Sequence, residues 1–235
     1  MKFPSFPIKK VLILVVMLAV PGLLYYLLQE KGKNRYKPLS IFGPKVVAST
    51  FHTKRGKKIP DTLYHTIRPF ALTNQDNKTV SFPADSHKIT VVNFFFTRCT
   101  SFCKSMNDEM AGLNQIFGKN RLLQFYSISV DPKYDRADVL KKYSSQFKTK
   151  SANWHFLGGE SAMVHQLAKE DFLVDALEDT SGKQVNFVHS PMFILIDPQS
   201  RIRGYYDSAN KEEVEKLTGE IKVLITEELR NITDR

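Results

Sequence analysis

One stretch constrains the fold more than any other. It is an apolar run from Ile89 to Phe96 that leads into the only two cysteines of the chain, Cys99 and Cys103. β-Branched and aromatic residues fill nearly every position, which predicts a strand buried on both faces. From Lys104 to Phe117 the apolar residues recur three and four positions apart, which predicts an amphipathic helix. The thiols are therefore expected where a central strand ends and a helix begins.

The predicted position of the cysteines favours reactive thiols. Backbone N–H groups and the positive end of the helix dipole stabilise a thiolate there, and Arg98 and Lys104 flank the pair. Two sulfurs four residues apart can close into a disulfide or share one soft metal ion. A structural disulfide, or two inert buried thiols, is the alternative interpretation.

The charge of the chain is unevenly distributed. Its 235 residues carry a formal charge of +10. Residues 1–60 contain 12 Lys or Arg and a single acid, Glu30, whereas the remainder holds 22 basic and 23 acidic side chains. Because the globular part is balanced, nucleic-acid binding is not predicted for it. Two cysteines are also too few for a secreted disulfide scaffold.

The N-terminal part predicts a membrane anchor and a tether. A short basic tail, residues 1–10, precedes an uncharged aliphatic run, residues 11–28, of the length of a transmembrane helix. A cleaved signal peptide is the alternative, but no clear small-x-small site follows the run. Residues 29–65 are predicted as a tether, in which residues 54–58 form a solvated turn or contact anionic headgroups.

The sequence on either side of the apolar run also predicts the cellular location and the membrane orientation of the chain. A short N-terminal tail followed by one apolar run is typical of a signal anchor, which exports the domain behind it. No Arg- and Ser-rich transit segment precedes the run, which favours a bacterial membrane over a mitochondrial one. We therefore expect a single-pass inner (plasma) membrane protein with its C-terminal domain outside the cytoplasm, on the periplasmic side.

Residues 66–235 alternate strands with helices. A hairpin from Phe70 to Phe82 is followed by the order β, α, β, α, α, β, β, α. This predicts an α/β domain with parallel pairs in a central sheet and helices on both faces. A cysteine turn after an early strand makes the arrangement thioredoxin-like. Beyond the cysteine helix, strands are expected at 122–130, 192–196 and 202–206, strand-like pieces at 173–176 and 185–188, and helices at 137–143, 161–170 and 211–229.

One histidine is a candidate partner for the cysteines. His189 stands just before the predicted strand Met192–Ile196, and in a thioredoxin-like fold that loop faces the cysteine turn. Two thiolates and an imidazole make a trigonal soft site suited to Cu(I), and the imidazole also serves Cu(II). From the residues alone this role stays open, because a lone loop histidine is more often a surface residue. Surface or packing roles are expected for the others, which are His52, His65, His87, His155 and His165.

Four motifs resemble those of one family. Residues 95–103 resemble the CxxxC stretch of the Sco/SenC family of membrane-tethered, thioredoxin-like copper proteins. Three further stretches are similar in order and spacing to the family's S-V-D-P-x-x-D, W-x-x-L-T-G and H-S…L-I-D-P segments. They are residues 129–132 with Asp135, residues 154–159, and residues 188–190 with 195–198.

The resemblance implies a site and a function. Cys99, Cys103 and His189 become copper ligands, the cysteines a redox-active pair, and Asp131 a candidate contact for a partner. The implied role is a metallochaperone that delivers copper to the binuclear copper centre of cytochrome c oxidase, through the copper-binding subunit of the oxidase. The alternative is a membrane-anchored thiol–disulfide oxidoreductase that acts on the cysteines of the oxidase or another exported protein, with a thioredoxin-like protein as its reductant.

Three residues depart from the family pattern. Lys104 and Thr100 stand where the family usually has proline, and Arg98 replaces a frequent histidine. These changes keep the three implied ligands but make the site more cationic and its turn less rigid. A peroxidase function is not predicted, because the sequence before Cys99 lacks the T-x-x-C spacing of peroxiredoxins. A chaperone needs no substrate turnover, so the sequence leaves open whether the chain is an enzyme.

Overall fold

The computed structural model describes residues 8–32, 38–54, 56–84, 87–147, 152–174, 177–179, 186–188 and 191–233. The chain divides into two compact units, residues 1–38 and residues 39–235. The first unit contains one helix, α1 (Ile8–Gly32), which includes the predicted anchor. Within the described residues, none of the helices has both the length and the hydropathy of a membrane span. The anchor therefore remains a prediction from the sequence.

The second unit contains eleven strands and four further α-helices among its described residues. The strands are β1 (Lys45–Lys54), β2 (Lys57–Tyr64), β3 (Phe70–Asn74), β4 (Thr79–Phe82), β5 (Ile89–Phe95), β6 (Leu123–Ser129), β7 (Trp154–Gly158), β8 (Leu177–Asp179), β9 (Asn186–Val188), β10 (Met192–Ile196) and β11 (Ile202–Asp207). The helices are α2 (Cys103–Phe117), α3 (Ala137–Ser144), α4 (Ser161–Gln166), continued by a π-helical turn (Leu167–Asp171), and α5 (Lys211–Thr233).

Seven strands form the central sheet, in the order β11-β10-β5-β6-β7-β3-β4. The strands β5, β6 and β7 are parallel, while β10 runs antiparallel to β5 and β3 antiparallel to β7. This mixed sheet confirms the predicted α/β class. Because the C-terminal ends of β5 and β6 lie side by side, the loops that follow them meet at one edge of the sheet. One of these two loops, which joins β5 to α2 and contains Cys99, is called the cysteine loop below.

The core has helices on both faces of β5. Every residue of β5 and β6 is buried, as the nearly continuous apolar run of β5 and the largely apolar run of β6 predict. Neighbouring side chains of a strand point to opposite faces. On one face the Phe95 ring stacks on Tyr143 of α3, with ring centroids 5.2 Å apart. On the other face Phe94 meets Phe172, which follows the π-helical turn, also at 5.2 Å.

A buried polar network fixes α2 to the sheet just beyond the cysteines. The side-chain amide of Asn93 in β5 donates to Asn107 Oδ1 in α2 (2.9 Å). Ser127 Oγ of β6 donates to Asn93 Oδ1 (2.6 Å), and Trp154 Nε1 of β7 donates to Ser127 Oγ (3.0 Å). Buried polar groups that satisfy one another in this way specify a single register between helix and sheet. The start of α2, and with it Cys103, is thereby held in place.

The predicted tether contains a hairpin that the sequence did not predict in full. Only a tether was expected there, with residues 54–58 as a solvated turn or in contact with anionic headgroups. Instead β1 and β2 pair antiparallel around a tight turn, with Lys54 opposite Lys57 and Gly56 at a φ of 76°. A left-handed glycine at this place is typical of a two-residue hairpin turn. Apolar residues on both faces of the hairpin hide the alternation by which strands are recognised.

The globular unit begins at residue 39, whereas the sequence placed its start at residue 66. The difference arises because Arg203 of β11 is buried and its guanidinium donates to the carbonyl oxygens of Leu39 (2.8 Å) and Ser40 (3.2 Å). The Phe42 N–H also donates to Ile202 O (2.9 Å). Such contacts join residues more than 150 positions apart, and no local sequence pattern predicts them.

Candidate metal centre

The loop of residues 96–102 joins β5 to α2 and contains Cys99, and Cys103 follows it directly. Cys103 is the first residue of α2 and is fully buried, whereas Cys99 lies in the preceding loop and is partly exposed. The Cys99 N–H donates to Phe96 O (3.2 Å), and its sulfur is 3.3 Å from Ser101 Oγ. The two thiols are hydrogen-bonded to each other. The structure thus brings the sulfurs together at the predicted junction of strand and helix.

The environment of Cys103 differs from the expectation. Its hydrogen bond with Cys99 and its burial raise the pKa of the Cys103 thiol above the usual range, although a backbone hydrogen bond at Phe96 opposes them. The sequence predicted a lowered thiol pKa from the helix dipole, Arg98 and Lys104. That prediction is wrong for Cys103, since burial disfavours a thiolate and Lys104 is paired with Asp108 (2.7 Å).

Two carboxylates of the turn after β6 hold the start of the cysteine loop. Asp135 accepts the backbone N–H of Thr97 (3.0 Å) and the Thr97 hydroxyl. Asp131 forms an ion pair with the Arg98 guanidinium, which also lies 4.3 Å from the centroid of the Tyr134 ring. We call this arrangement, made by Asp131 and Asp135 on Thr97 and Arg98, the carboxylate clamp. It fixes both residues that precede Cys99.

The two carboxylates of the clamp are buried. Burial raises the pKa of Asp135 above its usual value, while hydrogen bonds from Ser129 and Thr97 act in the opposite direction. The Asp131 side chain is only 8% exposed and faces Arg98. The exposed groups at this point are Arg98 and Tyr134. The partner contact that the resemblance implied for Asp131 stays a prediction.

His189, the third implied ligand, lies outside the described residues, as does Ser190. Among the residues that are described, no group of three or more His, Cys, Asp or Glu side chains is arranged to hold a metal ion. The strand that follows His189 is described. In the antiparallel pair of β10 and β5, Ile194 lies opposite Val92, so β10 begins at the edge of the sheet where the cysteine loop starts.

The other histidines contact groups away from the cysteine pair, in line with surface or packing roles. His155 is half-buried in β7, and burial lowers its pKa. The remaining contacts are His52 with Asp61 (2.6 Å), His65 with Asp171 O (2.7 Å), His87 with Glu228 (2.7 Å) and His165 with Val130 O (3.1 Å).

The roles of Thr97, Ser129 and Tyr134 were missed by the sequence analysis. A signal for them was present, because polar residues that follow two parallel strands gather at one edge of the sheet. Ser129 ends β6 and donates to Asp135, while Thr97 comes two residues after β5. What the sequence does not contain is the pairing between Thr97 and Asp135, which lie 38 positions apart.

A thioredoxin-like sheet with two thiols in contact at a strand–helix junction defines a class of thiol proteins that exchange disulfides or bind soft metals. Comparison with known families is more specific. The SCO1/SenC family matches residues 60–226, and the chain belongs to this family. The match includes both cysteines, the carboxylate clamp and His189.

Individual relatives agree with this assignment. A SCO1 protein homolog of Bacillus subtilis is 27% identical over 169 residues, which cover 71% of this chain and 86% of that protein. The solved structure of BsSco, described as a cytochrome c oxidase assembly protein with a disulfide switch, is 26% identical with a TM-score of 0.60, covering 69% of this chain and 94% of its own. Copper-bound ScoI of Bradyrhizobium japonicum shares the fold, at 24% identity, a TM-score of 0.57 and coverages of 68% and 99%.

Proposed function

We propose that the chain is a copper metallochaperone that binds copper through Cys99, Cys103 and His189 and delivers it to the binuclear copper centre of cytochrome c oxidase. The observation that carries the proposal is the contact between the two thiols at an edge of the sheet. Two converging sulfurs suit Cu(I), and an imidazole completes a trigonal site that also accommodates Cu(II). Membership of the family adds support, since BsSco is described as a member of the Sco family of cytochrome c oxidase assembly proteins, and ScoI of Bradyrhizobium japonicum, which shares the fold, was solved with copper bound.

The position of β10 supports His189 as the third ligand. Its first residue, Met192, comes three positions after His189 and lies at the same edge of the sheet as the end of β5. Three extended residues span about 10 Å, so the imidazole has the reach to meet the thiols. Copper would leave by ligand exchange, in which thiolates of the oxidase's copper-binding subunit replace those of the chaperone one at a time.

The experiment measures Cu(I) binding to residues 39–235, reduced and loaded without oxygen, in competition with a Cu(I) chelator. We expect one copper per chain that resists the chelator. His189→Ala should weaken binding at least tenfold, because a two-coordinate thiolate site then replaces a trigonal one. The matched control is His52→Ala, which removes an exposed imidazole and should leave the affinity unchanged. Binding that is weak and indifferent to His189 would refute the chaperone.

One observation favours a second function, thiol–disulfide exchange. Cys99 is partly exposed and Cys103 is buried behind it, the arrangement of an attacking and a resolving thiol. The Cys99 thiolate would attack a partner disulfide and release one partner thiolate. Cys103 would then attack the mixed disulfide and release the second, leaving Cys99 and Cys103 oxidised and the partner reduced. A dithiol of a thioredoxin-like protein would restore the pair, and this function requires no His189.

The proposed place of action is the outer face of a bacterial plasma membrane, with residues 11–28 as the anchor. The support is sequence alone: 18 residues without charge follow Lys9 and Lys10. Delivery to an oxidase embedded in the same membrane would profit from such tethering, because it raises the local concentration of the chaperone at its partner.

A further inference from the structure

The hairpin of β1 and β2, which we call the ribbon, exposes apolar side chains to an unusual degree. Val46, Val47, Phe51 and Leu63 are each 60–71% exposed. The ribbon is a separate two-stranded sheet, outside the seven-stranded one. A two-stranded ribbon alone is marginally stable in water, and clustered apolar side chains at a surface indicate a binding site. Most of the ribbon precedes residue 60, where the family match begins.

Both faces of the ribbon carry these side chains. Residues directly opposite each other share a face, and neighbours along a strand alternate. Val46 pairs with Leu63 on one face, while Val47 and Phe51 pair with Thr62 and Pro60 on the other. A flat patch of a partner protein would cover one face and leave the other in water. An occupant that surrounds the ribbon accounts for both.

The charge of the ribbon defines the chemistry of that occupant. Its sequence contains five basic residues and a single acid. The acid is Asp61, and hydrogen bonds from Thr50 and from His52 (2.6 Å) keep its pKa low. The basic residues lie at the two ends of the ribbon, with the apolar residues between them. In the described strands they are Lys45 at one end and Lys54, Lys57 and Lys58 at the other.

We propose that the ribbon docks in the interface of a bilayer that contains anionic phospholipid. The interfacial zone surrounds an inserted ribbon and therefore covers apolar side chains on both faces. Phosphate groups of the lipid complement the lysines at both ends, and the aliphatic lysine stems extend from the apolar region to the headgroups. This contact is independent of copper and adds a lipid-binding site to the globular unit.

The test uses residues 39–235, a compact unit that holds the whole described core, and so excludes binding through α1. Vesicles of phosphatidylglycerol mixed with phosphatidylcholine are compared with vesicles of phosphatidylcholine alone in a flotation assay. We expect binding to the mixed vesicles that weakens with added salt. Absence of binding, or equal binding to both vesicles, would overturn the proposal.

Charge variants locate the contact. Lys45→Gln, Lys57→Gln and Lys58→Gln together should weaken binding about a hundredfold, since each lysine near an anionic surface contributes about fivefold. The matched control changes three exposed lysines elsewhere to Gln, at positions 78, 142 and 222, and should retain most of the binding. An equal loss in both triple variants would show attraction by overall charge, and the ribbon would not be the site.

Apolar variants separate a lipid from a protein occupant. Val47→Ser with Phe51→Ser leaves the charge intact and, because both side chains are exposed, should leave the thermal unfolding of the unit unchanged. We expect at least a tenfold loss of vesicle binding and a loss of the remaining binding at high salt. If the unmodified unit instead self-associates in sedimentation experiments and this variant does not, the ribbon is an interface between copies of the chain and the lipid proposal fails.

Discussion

At the scale of single residues, the ion pair of Arg68 and Asp171 joins the segment before β3 to the π-helical turn. Arg68 precedes β3, and Asp171 ends the π-helical turn, more than 100 positions later. The guanidinium donates to both Asp171 oxygens (2.9 and 2.7 Å), and the Arg68 N–H donates to one of them (3.0 Å). Burial alone would raise the pKa of Asp171, but these hydrogen bonds outweigh it and the pKa is lowered.

We expect Arg68→Ala to lower the free energy of unfolding of residues 39–235 at neutral pH by more than the control variant below, because the buried Asp171 carboxylate loses its partner. The cost is below that of a fully buried pair, since the Arg68 side chain is half exposed. The measurement is urea unfolding. The control, Arg136→Ala at an exposed arginine, should change the free energy of unfolding by less than about 0.5 kcal/mol.

The ion pair of Arg68 and Asp171 also makes the stability of the globular unit depend on pH, in a direction that can be predicted. A carboxyl group with a lowered folded-state pKa contributes stability that is present above its ordinary pKa, near 3.8, and is lost as the pH falls through the folded-state value. The difference between Arg68→Ala and the unmodified unit should therefore shrink below about pH 4. A difference that stays constant on acidification would show that lost packing of the arginine stem is responsible.

At the scale of elements, the cysteine loop depends on the carboxylate clamp. Thr100 of this loop stands where the resemblance led us to expect a proline, and hydrogen bonds from Thr97 and Arg98 to the turn after β6 restrain the loop. Each of these contacts links the end of β5 to the end of β6. The conformation of the loop therefore depends on the pairing between these two strands.

Replacing Thr97 by Val should cost about 1–3 kcal/mol in the free energy of unfolding, because buried Asp135 loses a hydroxyl donor that valine cannot supply. Thr100→Val, at an exposed position of the same loop, is the control and should stay within about 0.5 kcal/mol. Amide hydrogen exchange of residues 97–102 should accelerate in the first variant only. Equal exchange in both variants would show that the hydroxyl does not restrain the loop.

Most elements of the fold were predictable, but the strand β7, the clamp and the ribbon were not. The strands β5 and β10 are nearly continuous apolar runs, β6 is largely apolar, and the apolar residues of α2 recur at helical spacing, so the local pattern suffices to predict them. The clamp depends on the parallel register of β5 and β6, which joins Phe95 to Ser129. The thiol pKa was misjudged for the same reason, because burial of Cys103 is a property of the packed structure.

At the scale of the whole molecule, the two units have different expected surroundings. The globular unit holds the described core and the thiols, whereas α1 is a helix of 25 residues that contains the uncharged run of residues 11–28. Family membership concerns the globular unit, since the match covers residues 60–226. The location of the molecule therefore requires its own test.

The full chain, expressed in a bacterium, should sediment with membranes, and protease added to intact spheroplasts should digest the globular unit. The reason is that a signal anchor exports the domain on its C-terminal side. A cytoplasmic marker protein in the same cells is the control and should survive. If the globular unit is cleaved only after the membrane is lysed, the domain lies in the cytoplasm and the proposed location is wrong.

The carboxylate clamp determines the stage of folding at which the cysteine loop becomes ordered. Asp131 and Asp135 lie about thirty positions after the cysteines, and the clamp closes only when β6 pairs with β5. Contacts between distant segments form late, because the entropy of loop closure must be overcome first. A nascent chain in which β6 has not yet paired with β5 carries both cysteines but lacks the clamp that restrains their loop. The cysteine loop therefore becomes ordered only when β5 and β6 pair in the native sheet.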